Sequence, residues 1–107
     1  MDISSDKLKE LLDTDAKILV EFYATWCGPC KVLKPIFEEV RDQFESEGRD
    51  VKLYTFDVDS DIQLSMSLGV KSIPVIKGFM GGEEKVSKIG IIHKNEIIKM
   101  ASEWTQV

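Results

Sequence analysis

Residues 17–30, KILVEFYATWCGPC, constrain this chain more than any other stretch. The run KILVEFY at 17–23 is β-branched and aromatic, too short for a stable helix and apolar on both faces. That pattern predicts a central strand covered on both sides. It leads into Cys-Gly-Pro-Cys at 27–30, where Gly28 lets the chain turn sharply and Pro29 suits a first helical turn that needs no N–H. The stretch therefore reads as a buried strand that gives way to a helix at a cysteine pair.

The rest of the chain follows from that start. Residues 28–46 predict a long helix with Val32, Leu33, Ile36, Phe37, Val40 and Phe44 as its inner stripe and a kink at Pro35. VKLYTFDV at 51–58 alternates like a strand, so strand, helix and strand form a βαβ unit with parallel strands. Before it, SDKLKELLD at 5–13 predicts a short helix, and MDIS leaves almost no room for an earlier strand. After it, DIQLSMSL at 61–68 predicts a short helix ended by Gly69. SIPVIKGF at 72–79 and EEKVSKIG at 83–90, joined by a glycine turn, predict an antiparallel hairpin. Residues 94–105 predict a closing helix with Ile97, Ile98, Ala101 and Trp104 on its buried side. The sum is an α/β fold: a central mixed sheet of four strands, five if the first residues add one, flanked by helices on both faces, βαβ then ββα.

The totals bound the function. A length of 107 residues fits one domain over residues 1–107. The formal charge of −5 and the lack of a Lys/Arg run argue against nucleic acid as a partner. No apolar run approaches the roughly 20 residues of a membrane helix, and the N-terminus lacks the basic start and apolar stretch of a secretory signal. The expectation is a cytoplasmic protein, in a compartment where structural disulfides are rare, so two cysteines at this spacing point to redox or metal chemistry. Zinc needs about four ligands, and two cysteines with the single, distant His93 do not supply them.

The redox reading assigns roles. The thiolate is the nucleophile in disulfide exchange, and Cys27 falls at a helix start, where unpaired N–H groups and the dipole favour an anion. Cys27 would attack a target disulfide, and Cys30, one turn on and more buried, would resolve the mixed disulfide. Glu21 sits in the middle of the covered strand, where an ionised carboxylate costs several kcal/mol unless paired or protonated. Desolvation would raise its pKa toward neutrality, so that it could take the proton from Cys30.

The segment LVEFYATWCGPCKVLKP, with its spacing to SIP at 72–74 and to Gly90, resembles the active-site segment of the thioredoxin family, and the resemblance runs from about residue 5 to 105. It implies a protein-disulfide reductase with Cys27 attacking and Cys30 resolving. It implies that Pro74 is a cis-proline against the cysteine pair, its backbone offering hydrogen bonds to a substrate strand. Trp26, Gly28, Pro29, Ser72, Ile73, Gly90 and Ile91 would form the flat apolar surface that meets protein substrates. Electrons would come from a flavin- and nicotinamide-dependent thioredoxin reductase, with no cofactor or metal on this chain, which would act as a monomer.

This sequence departs from the family pattern at several positions. Glu21 stands where an Asp is usual, Thr55 where a lysine often sits near that acid, Tyr23 for a Trp and Val75 for a Thr. Lys77 and Gly78 interrupt the fourth strand and predict a bulge or an open spot. Rival readings are a glutaredoxin-like enzyme, a disulfide isomerase or oxidase, and a non-catalytic module that binds a partner on the same surface. Gly-Pro between the cysteines and the absence of an evident basic glutathione site speak against the first, and Pro29 where such relatives usually carry a histidine speaks against the second. His93 is expected as a cap or surface residue, DVDSD at 57–61 as a strand end with a helix cap rather than a calcium loop, and the four methionines as fillers.

Overall fold

A computed structural model describes residues 2–105, with the backbone alone for Trp104 and Thr105, so the expected burial of Trp104 lies outside the described residues. Helix α1, Ser5–Leu12, starts where the Ser4 hydroxyl accepts the Lys7 N–H at 3.1 Å. Strand β1, Lys17–Tyr23, helix α2, Gly28–Ser46, and strand β2, Lys52–Asp57, form the βαβ unit. A 3-10 turn, Val58–Ser60, leads to α3, Ile62–Ser67. Strands β3, Val75–Met80, and β4, Glu83–Ile89, make the hairpin, and α4, Lys94–Thr105, closes the chain.

The sheet has four strands in the order β2-β1-β3-β4, with β1 and β2 parallel and the other pairs antiparallel. Alternation along β1 divides the core. Ile18, Val20 and Phe22 pack with Leu8, Phe56, Val75 and Phe79 on the face that carries α1, and Phe22 meets Phe56 edge to face. Leu19 packs on the other face with Leu33, Phe37, Val40 and Phe44 of α2 and Ile97, Met100 and Ala101 of α4. Glu21 follows Leu19 on that second face, beneath α2.

Three expectations need correction. Val32 is 52% exposed rather than inner. The buried row of α2 runs through Leu33, Phe37, Val40 and Phe44, and Val32 stands about 100° off it. The third strand starts at Val75, not at residue 72, because Pro74 has no N–H for the ladder. Lys77 is not an open spot: it is 6% exposed, and its ammonium donates to Glu84 at 2.9 Å and to Ser87 at 3.3 Å. The expected bulge is present, between Gly78 and Phe79.

Ahead of α1, Asp2 pairs with Thr55 in one parallel bridge, and the Ile3 N–H donates to the Thr55 carbonyl at 3.0 Å. This two-residue strap lies along the outer edge of β2 in place of a fifth strand.

Candidate active site

The site begins where β1 ends. Cys27 is in an extended conformation at the N-cap of α2, and its Sγ accepts the Cys30 N–H at 3.3 Å. A main-chain donor of the first helical turn thus points at the sulfur, which is what a thiolate needs. Cys27 and Cys30 are joined in a disulfide with their Cα atoms 5.3 Å apart. Both residues are buried, Cys27 only slightly less than Cys30. They form a small cluster with Ala24, against which Tyr23, Val58 and Ile73 pack.

Two loops complete the rim. The Ile73–Pro74 peptide is cis. The Pro74 carbonyl accepts the Gly90 N–H at 2.8 Å, which ties the segment before β3 to the turn after β4. Pro74 therefore has neither an N–H nor an unengaged carbonyl, and Ile73, which makes no hydrogen bond among the described residues, carries the available main-chain groups. Gly28, Pro29, Ser72 and Ile91 are exposed on this rim, and Ile73 and Gly90 are half-buried. The Trp26 ring is 70% exposed, and its indole N–H donates to Asp59 at 2.8 Å.

Beneath the pair lies Glu21, 1% exposed, with Oε1 lacking any hydrogen-bond partner among the described residues. Glu21 and Cys30 line one cavity of about 400 Å³, together with Thr55, Lys34 and Glu38. Burial pushes the Glu21 carboxyl up to about 7; the Glu38 charge adds to this and the Lys34 charge opposes it. Thr55 is the register partner of Glu21 on β2, and its hydroxyl donates to Asp2 at 2.9 Å. The Tyr23 hydroxyl donates to the same Asp2 oxygen at 3.0 Å, and burial with that bond pushes the phenol up to about 12.

Sequence reasoning missed Asp59, Asp2, Lys34 and Glu38. Asp59 lay within DVDSD, whose neighbours do act as caps: Asp57 accepts the Asp59 N–H and Asp61 the Leu64 N–H, each at 2.9 Å. The spacing of Lys34 and Glu38 from Cys30, at four and eight residues along one helix, was the usable signal. His93 is exposed, and its carbonyl accepts the Glu96 and Ile97 N–H groups at the start of α4.

A disulfide across one turn at a helix start, facing a cis X-Pro segment, is the arrangement of a thiol-disulfide oxidoreductase: the bond can open and close without moving the sheet that carries it. Known proteins agree. A family model described as Thioredoxin matches residues 2–103. A thioredoxin of Mycoplasmoides gallisepticum is 44% identical over 94 residues, covering 85% of this chain and 87% of that one. A thioredoxin of Rickettsia felis is 39% identical over 90 residues, covering 84% and 83%. The solved structure of a mutant thioredoxin from Halobacterium salinarum superposes with a TM-score of 0.81 at 25% identity, over 99% of this chain and 89% of that one. The chain belongs to the thioredoxin family.

It is a dithiol oxidoreductase, and the pair in question is Cys27 and Cys30. Membership implies reduction by a thioredoxin reductase and, as substrates, disulfide-bearing proteins in general. No helix among the described residues is long and apolar enough to cross a membrane.

Proposed function

We propose that this chain, as a monomeric single domain in the cytoplasm, reduces disulfides in other proteins, with Cys27 as attacking and Cys30 as resolving thiol. The Cys27 thiolate attacks one sulfur of the target disulfide, forms a mixed disulfide and releases a target thiolate. Glu21 takes the proton from Cys30. The Cys30 thiolate then attacks Cys27 Sγ, the Cys27–Cys30 bond forms, and the second target sulfur leaves and takes up a proton. Two electrons from a flavin- and nicotinamide-dependent reductase restore the dithiol, and the chain needs no cofactor or metal of its own. Trp26, Gly28, Pro29, Ser72, Ile73, Pro74, Gly90 and Ile91 form the docking surface, where the main chain of Ile73 offers pairing to an extended target segment.

The observation that carries the division of labour is the Cys30 N–H aimed at Cys27 Sγ at 3.3 Å. A helix-start donor stabilises charge on Cys27 and offers nothing equivalent to Cys30 Sγ. Incubation of the reduced single-cysteine variants with insulin, whose disulfides serve as targets, tests it. Cys30→Ser accumulates a covalent adduct through Cys27, seen by intact mass. Cys27→Ser accumulates none. The opposite pattern would exchange the two roles.

A further inference from the structure

The buried carboxylate has no cation beside it in the sheet. Its neighbour on β2 is Thr55, and the Thr55 hydroxyl is committed to Asp2 at 2.9 Å. Glu21 Oε1 is left without a partner among the described residues. An ionised group in that position must find its counter-charge elsewhere or take up a proton.

The cavity shows where the counter-charge stands. Cys30, Lys34 and Glu38, at i, i+4 and i+8, lie along one row of α2, and all three line the cavity that Glu21 lines from below. The other charged groups on its wall are Lys31 and Arg41 of α2 and Asp2 of the strap. Asp2 is occupied by the Tyr23 and Thr55 hydroxyls, and Arg41 pairs with Asp42 at 3.1 Å. The Tyr23 phenol of β1 is neutral across the physiological range. Lys31 stands one residue after Cys30, at the redox end of the helix. The side chains of Lys34 and Glu38 take part in no hydrogen bond or ion pair among the described residues. Their charges are therefore available to act on the acid across the cavity, with opposite signs.

We propose that Lys34 and Glu38 are a positioning pair for Glu21: the ammonium favours its ionised form, the second carboxylate opposes it, and their balance adjusts, on top of the dominant effect of burial, the pH at which Cys30 can give up its proton. In this chain the tuning charge sits on the helix rather than on the sheet. The directions of the electrostatic effects on Glu21 agree with the assignment, and the α-amino group acts more weakly in the same sense as Lys34. The proposal rests on Glu21 being the proton acceptor for Cys30, and the test separates the two.

The side-chain carboxyl of Glu21 is followed by carbon-13 NMR against pH in the oxidised protein, where no thiol titrates. Wild type is compared with Lys34→Gln and Glu38→Gln, both at the solvent-reached wall of the cavity rather than in the packed core. Lys34→Gln raises the Glu21 midpoint and Glu38→Gln lowers it, each by ~0.5 pH unit, and added salt shrinks both displacements. Midpoints that stay at the wild-type value, or move in the same direction in both variants, overturn the pair. The pH profile of mixed-disulfide resolution, measured on the same variants, reports on the acid itself. Opposed midpoints that the resolution rate does not follow uphold the pair and refute Glu21 as the acceptor.

Discussion

The indole N–H of Trp26 donates to the carboxylate of Asp59 at 2.8 Å, joining two residues 33 positions apart at the mouth of the site. One lies in the turn before α2 and the other in the 3-10 turn after β2. The bond fixes a ring that is otherwise mostly in solvent.

Asp59→Ala should therefore leave the fold nearly untouched and disturb docking. A net hydrogen-bond contribution of ~1 kcal/mol corresponds to about a fivefold loss in kcat/KM toward a protein disulfide. Global stability should move by less than about 1 kcal/mol, because Asp59 is exposed. Trp26 fluorescence anisotropy, insulin reduction and urea unfolding together check this. Unchanged kcat/KM with a freed indole would mean that the ring orientation is irrelevant to docking.

Glu21 ties stability to pH. Its carboxyl titrates near 7 in the folded chain against an ordinary value of 4.5, so the folded state holds the proton more tightly than the unfolded state. The contribution is complete below about 4.5, declines as pH rises between these values, and is gone above about 7. The displacement corresponds to an upper bound of about 3 kcal/mol. Glu21→Gln should unfold at higher urea than wild type at pH 8 and at nearly the same urea at pH 4.5. Equal differences at the two pH values would contradict the linkage.

Lys77 and Glu84 should respond unequally to mutation. Glu84→Gln leaves a buried ammonium with neutral acceptors but no counter-charge, at a cost of ~1–3 kcal/mol. Lys77→Met removes the charge and keeps most of the volume, and should be neutral or stabilising. Chemical denaturation of both variants decides. A Lys77→Met protein weaker than Glu84→Gln would show that the ion pair itself holds β3 to β4.

Gly82→Ala should be the most damaging of the small changes. The residue has φ of +78°, and an added Cβ would fall 2.3 Å from the Leu12 carbonyl oxygen. Strain and clash together cost ~2–4 kcal/mol, lowering Tm by at least about 8 °C at roughly 4–8 °C per kcal/mol. Gly28→Ala, with nothing within 4 Å of the new methyl, should leave Tm within a few degrees of wild type. Thermal melts of the two side by side test the contrast.

What the sequence made legible was whatever has a period or a fixed spacing. KILVEFY announced a doubly covered strand because both its faces are apolar, and CGPC announced the helix start because its turn chemistry is specific. The same spacing logic failed at Val32, since a stripe drawn by eye is wider than the row that a helix buries. Lys77 was read as a weakness because sequence does not display the partner that compensates a charge, here Glu84 on the next strand. Around the site, Glu21 was found as an acid out of place in an apolar run. Asp2, Asp59 and Glu38 were not, because an aspartate or glutamate in a polar segment looks like any solvated charge. Only the fold brings Asp2 to Thr55 and Asp59 to Trp26.

The strap at Asp2 and Ile3 has a further consequence. The two edges of the sheet are defended by different means. β4 presents charges of both signs, Glu83, Glu84, Lys85 and Lys88, that discourage another strand from adding alongside. β2 carries its cover in two residues, held by a single bridge, one main-chain hydrogen bond, the two hydroxyls that donate to Asp2 and the packing of Ile3. Fraying there would bare a ready template for strand addition while the core stayed intact, so at high concentration the colloidal behaviour of this small acidic protein hangs on its first few residues more than on the packing within it.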